Sequence, residues 1–189
     1  DFYDFYSLDD DTVLFLAADV SGKGIPAAMF MMTAKTIIRD LAERGLSVDE
    51  IFTIANDKLC ENNESGMFVT AWMGKINLTT GTVSFANAGH NPPLVRHKDG
   101  SYEYLKGRAN FVLAGMEGLR YKEQQLQLQP GDEIYLYTDG VTEAHDINKQ
   151  LFGENRLLVS LNETAGMTVD EICRKVKADV DAFQGEAEQ

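Results

Sequence analysis

The chain has no run approaching about 18 apolar residues, which excludes a membrane-spanning helix. Basic side chains are scarce: 17 lysines and arginines stand against 30 aspartates and glutamates, a formal net charge of −13. Nucleic acid and anionic membranes both select a basic footprint, so neither is expected as a primary partner. Cysteine is nearly absent. Cys60 and Cys173 lie in stretches of helical character without metal-ligand spacing, so free thiols and a cytoplasmic setting are expected. The three histidines, His90, His97 and His145, are too few for a histidine-rich zinc centre. GKG at 22–24 lacks the spacing of a phosphate loop, and no GxSxG nucleophile elbow occurs. No signal peptide, internal repeat or low-complexity tract is present. An initiating methionine is missing too. The chain opens in DFYDFYSL, already a strand by composition, and is expected to be a fragment of a longer polypeptide.

What remains is an acidic chain of 189 residues, 44% apolar, suited to a single domain spanning 1–189. It is organised around VLFLAADVSGKG at 13–24. The apolar run Val13 to Ala18 ends at Asp19, with glycines immediately after, so Asp19 is expected where a buried strand leaves the core. A lone carboxylate there is costly without a counter-charge. EIYLYTDG at 133–140 repeats the arrangement around Asp139. Two strand-end aspartates meeting across a cleft are a simple way to hold a hard cation. Cations held this way can polarise water for attack on a phosphate ester, with no protein nucleophile.

Residues 1–8 and 12–20 read as a hairpin turned at the three aspartates 9–11. Asp1 and Asp4 are three apart and point to opposite strand faces, so only one can easily join Asp19. Asp4 either supports that site or is an exposed edge aspartate. A first helix is expected over 25–44, with Pro26 in its first turn and Gly45 at its end. Its expected buried face is Ala28, Met31, Met32, Ile38 and Leu41, the methionines serving as core filler. A second helix runs from Val48 to Cys60, capped by Ser47 with Glu50, with the stripe Ile51, Ile54, Ala55 and Leu59. Strands follow at 67–76, 82–88, 92–97, 101–105, 120–128 and 133–138, with turns at LTTG, KDG (98–100) and PGD (130–132). Helices close the chain at 154–163 and 168–183, the latter with a Thr168–Glu171 capping box, before a frayed GEAEQ tail. Short connections imply antiparallel pairing. The fold class is α+β, a four-layer α/β/β/α sandwich with two central antiparallel sheets flanked by helix pairs.

DFYDF at 1–5, ADVSGKGIPAAMFM at 18–31, MFVTAWMG at 67–74, FANAGHNPPLV at 85–95, LYTDGVTEA at 136–144 and LFGE at 151–154 stand in a fixed order along nearly the whole chain. In this the sequence resembles the PP2C-like metal-dependent serine/threonine phosphatases, in the bacterial SpoIIE/RsbU-type branch. The resemblance implies two Mn2+ or Mg2+ ions. Asp19 would bridge them, with the Val20 carbonyl beside it, Asp1 serving the second ion and Asp139 the first. Gly22, Gly24 and Gly140 would let the loops turn tightly beside the ions. Thr138, Thr142 and Glu143 would orient ligands and waters, although Glu143 also reads as a helix-start acid facing solvent. His90 reads either as a proton donor to the leaving alkoxide or as a structural histidine of the NAGHNPP turn. Two family features are absent from this chain: the double glycine before Asp1, and the terminal strand with its D-D-[ILM]-T motif. The implied activity is hydrolysis of phosphoserine or phosphothreonine on a regulatory protein, an anti-sigma-factor antagonist, downstream of a sensory or receiver domain. The methionine-rich face of the first helix is a place where such a domain, or a second subunit of a homodimer, would act. The alternative is a catalytically impaired domain of the same fold that binds a regulatory partner.

Overall fold

Side-chain alternation sets the first hairpin. In β1 (Phe2–Ser7) the residues Phe2, Asp4 and Tyr6 turn to one face, while Tyr3 and Phe5 are exposed on the other. β2 (Thr12–Val20) returns antiparallel, in register from Phe2 opposite Ala18 to Ser7 opposite Val13. The aspartate turn closes as expected, with the Leu8 N–H donating to the Thr12 carbonyl and the Asp11 N–H to Asp9 Oδ1. The computed structural model describes residues 1–61, 63–98 and 100–187. They form two compact units, one built from 1–92 and 106–130, the other from 93–105 and 131–189.

In the first unit β3 (Val69–Asn77), β4 (Thr82–Ala88) and β7 (Gln124–Gln127) complete a five-stranded antiparallel sheet in the order β1-β2-β3-β4-β7. Leu14, Leu16, Ala18 and Val20 share one core with α1 (Gly24–Glu43) and α2 (Val48–Cys60). The α2 bounds and its Ser47–Glu50 capping box are as read from sequence. The phase of α1 is not. Its buried residues are Ala27, Ala34, Ile38, Leu41 and Ala42, whereas Ala28, Met29 and Met32 are exposed. At 100° per residue, Met29 and Met32 fall opposite the stripe centred on Ile38, so only Met31 packs against the core. The irregular stretch after residue 106 is held by fully buried Asn56. Its amide donates to the Met116 carbonyl and its oxygen accepts from the Ala114 N–H and the Tyr121 hydroxyl.

In the second unit β5 (Leu94–Arg96), β6 (Tyr102–Tyr104) and β8 (Glu133–Tyr135) form a three-stranded antiparallel sheet in the order β6-β5-β8. Leu94, Tyr102 and Tyr137 form its core with Ala144, just past α3 (Asp139–Thr142), with Leu157 and Leu161 of α4 (Gly153–Asn162), and with Ile172 and Val176 of α5 (Val169–Gln184). The Thr168–Glu171 capping box is present. The β5–β6 turn contains Asp99, outside the described residues, as are 188 and 189 of the tail; the Gly100 N–H donates to the His97 carbonyl across that turn.

Short connections do not all close hairpins. The segments 89–93 and 128–132 each carry the chain from one sheet to the other. Both contain proline: Pro92 and Pro93 in the first, Pro130 in the second. Proline has no N–H to extend a ladder, so pairing stops there and the chain leaves the sheet.

Candidate active site

Asp19 is the penultimate residue of β2 and faces Thr70 of β3 across the ladder. The β1–β2 register, continued one step beyond Phe2 and Ala18, sets Asp1 opposite Asp19; the Asp1 main-chain nitrogen lies 3.6 Å from Asp19 Oδ1. Both lie on the face turned away from α1 and α2, because Phe2 and Ala18 next to them point into the helix-covered core. The Asp19 side chain is 24% exposed, open enough to ligate and sheltered enough to feel its neighbours. The following loop is fastened at Ser21. Its Oγ accepts from the Phe68 N–H at 2.8 Å and its N–H donates to the Phe68 carbonyl at 2.9 Å. Gly22 and Gly24 have φ of 87° and 79°, a left-handed backbone that side chains disfavour.

Asp4 lies on the other face of the sheet. It pairs with Lys35 of α1 at 2.9 Å and accepts from the Tyr6 hydroxyl at 2.8 Å and the Phe5 N–H at 3.0 Å. Burial pushes its pKa up, but the hydrogen bonds from Lys35, Tyr6 and Phe5 outweigh that and hold the carboxyl below its ordinary value. A depressed carboxylate contributes stability above its unfolded pKa and loses it as pH falls through the lower folded value. Urea midpoints of the parent chain should therefore fall as pH drops through and below the ordinary aspartate value of about 4, and Asp4→Asn should flatten part of that fall. An unchanged slope in the variant would remove Asp4 from the acid response.

Asp139 lies in the second unit and is not at a strand end. β8 stops at Tyr135, Thr138 is the N-cap, and Asp139 opens the short α3. Its carbonyl accepts from the Glu143 N–H at 2.7 Å and the Thr142 hydroxyl at 3.3 Å, which commits this stretch to a helical turn. Gly140 sits inside α3 and is not among the left-handed glycines, so it makes no tight turn. Glu143 is exposed at the end of α3, not at a helix start.

His90 is buried, 5% exposed. Its main chain is clamped by Asn87, whose Oδ1 accepts from the His90 N–H and whose amide donates to the His90 carbonyl. Its Nδ1 shares a 2.9 Å hydrogen bond with Thr70 Oγ1. Thr70 was not singled out from sequence; a hydroxyl near the start of an apolar strand is a weak signal until register places it against Asp19.

Among the described residues no group of three or more His, Cys, Asp or Glu side chains is gathered to hold a metal ion. The acidic residues that the extended β1–β2 register sets opposite each other are Asp1 and Asp19. An oxygen-only pair suits magnesium, which commonly takes one or two carboxylates and keeps several waters, so these residues fit a hard divalent ion. Cys60 and Cys173 are free thiols, as expected.

The family model described as Stage II sporulation protein E (SpoIIE) matches residues 9–189. The chain belongs to the SpoIIE family. SpoIIE-family domains are PP2C-like phosphatases, a metal-dependent class. This SpoIIE-family chain is 31% identical over 188 residues to Protein IcfG of Synechocystis, covering 85% of this chain and 30% of that protein. It is 32% identical over 149 residues to the phosphoserine phosphatase RsbU of Bacillus subtilis, covering 78% of this chain and 44% of RsbU. The chain thus spans less than half the length of both curated relatives. Its fold matches the SiaA PP2C domain of Pseudomonas aeruginosa with a TM-score of 0.84 at 23% identity, over 100% of this chain and 75% of that one.

Proposed function

We propose that this chain hydrolyses phosphoserine or phosphothreonine on a regulatory protein, using two divalent cations, Mn2+ or Mg2+. The observation that carries the reading is the pairing of Asp1 and Asp19 on one sheet face, beside a loop fastened by Ser21. The ligands assigned within the first unit are Asp1, Asp19 and the carbonyl of Val20. Bound cations supply the Lewis acidity that makes water a nucleophile at neutral pH. Water attacks phosphorus, the bond from phosphorus to the side-chain oxygen breaks, and phosphate and the free hydroxyl are released. Asp1 and Asp19 keep the reacting end of the sheet negative and so favour cations over other occupants.

The substrate assigned is a phosphorylated anti-sigma-factor antagonist in the cytoplasm, with control from a sensory or receiver domain. Support comes from the likeness to RsbU, whose name states phosphoserine phosphatase activity, and from a net charge of −13 that disfavours nucleic acid. Among the described residues no helix is long and apolar enough to cross a membrane.

The test is phosphate release from a phosphoserine protein. Release is expected with Mn2+ or Mg2+ and is expected to vanish with EDTA. The rival reading, a regulatory protein-binding module, draws on the lack of a three-ligand cluster among the described residues. It wins if neither metal supports release while partner binding persists.

A further inference from the structure

Thr70 occupies a particular place in the sheet. It is the cross-strand partner of Asp19, and directly paired residues on one face hold their Cβ atoms about 5 Å apart. The Thr70 hydroxyl meets the buried His90 ring at 2.9 Å. His90 is itself held by Asn87. The Asn87 carbonyl accepts from both the main-chain N–H (2.7 Å) and the side-chain amide (3.1 Å) of Asn110. Gly89 completes the restraint: its φ is 70°, and a Cβ there would stand 2.7 Å from Val112 Cγ1. The His90 main chain is therefore held from β4 and the segment around Asn110, while its ring meets Thr70 of β3.

We propose that Thr70 and His90 form a polar brace that positions Asp19 for cation binding. This rests on the assignment of Asp19 as a metal ligand. The hydrogen bond restrains the Thr70 side chain, and Thr70 is the β3 residue directly opposite Asp19 in the ladder. Valine has nearly the same shape as threonine but no hydroxyl, so Thr70→Val removes the bond while keeping the strand. Groups that orient a metal-ligating residue typically contribute about 10–100-fold to affinity or turnover. Neither Thr70 nor His90 is assigned to touch the cation or substrate, so both are positioning residues.

The experiment measures Mn2+ affinity by water-proton relaxation, alongside kcat and KM on a phosphoserine peptide, with thermal melts to confirm folding. Thr70→Val should weaken Mn2+ binding about tenfold or more and lower kcat with little change in KM. Thr70→Ser, which keeps the hydroxyl, should restore both to within about twofold of the parent. An independent readout is the His90 ring 15N signal of the parent chain. It should shift on Mg2+ titration and stay still in Asp19→Asn. Parent-like Mn2+ affinity in Thr70→Val, with affinity lost in Asp19→Asn, overturns the brace alone. A silent His90 signal with Mg2+ bound does the same, even if Thr70→Val fails to fold. Parent-like Mn2+ affinity in Asp19→Asn overturns the metal assignment and the brace with it.

Discussion

Asp19→Asn is expected to lower metal-dependent phosphate release by about three orders of magnitude, the effect of losing roughly 4 kcal/mol of transition-state stabilisation. An amide is nearly the same size as a carboxylate but carries no charge, so it binds a hard cation far less well. The fold has little reason to change, because Asp19 lies at the edge of the core with its side chain 24% exposed. Without metal, the variant should therefore melt close to the parent temperature. Added Mn2+ should raise the melting temperature of the parent and leave the variant unmoved, because a ligand stabilises only the state that binds it. Turnover within tenfold of the parent, with intact Mn2+ stabilisation, would remove Asp19 from the mechanism.

Trp72→Ala should give the largest loss of stability. Trp72 is 1% exposed, stacked on Phe85 with ring centroids 5.4 Å apart and tilted against Phe15 at 5.7 Å. Truncating a buried aromatic costs about 3–5 kcal/mol, a large share of the 5–15 kcal/mol that holds an ordinary domain folded. The motif MFVTAWMG also explains its own glycine. A Cβ on Gly74 would lie 2.8 Å from Trp72 Cζ3 and 2.9 Å from Phe15 Cζ, so the aromatic rings fill the space a side chain would take. Gly74→Ala alone should cost about 1–3 kcal/mol through overpacking. In the Trp72→Ala background the same change should cost less, since the clash with the indole has gone and the Phe15 ring has the vacated space to move into. Urea denaturation of the two single variants and the double variant measures this coupling. Strictly additive losses would show that ring and glycine do not share that space.

Much of the architecture was legible because it obeys short-range rules. The starts of α2 and α5 followed from a hydroxyl and a carboxylate three residues apart, Ser47 with Glu50 and Thr168 with Glu171, whose partners lie within one turn. The separation of Asp1 from Asp4 followed from strand parity, and Asp4 does face α1. The hydrophobic count in α1 was legible too, but its rotation was not, because Met29, Met31 and Met32 are equally apolar and only packing chose which one to bury. Strand lengths were overestimated in the second unit. There β8 ends at Tyr135, since Asp139 and Glu143 close a helical turn that an alternating apolar pattern does not foreshadow.

Local chemistry thus specified where elements begin, which residues alternate, and that a carboxylate would stand at the end of a buried strand. It could not specify neighbours across a ladder. That Thr70 faces Asp19, or that the chain changes sheets at Pro92–Pro93 and Pro130, depends on register between segments far apart in sequence. Register minimises the energy of the whole sheet and its helices together, so no single stretch of the chain carries it.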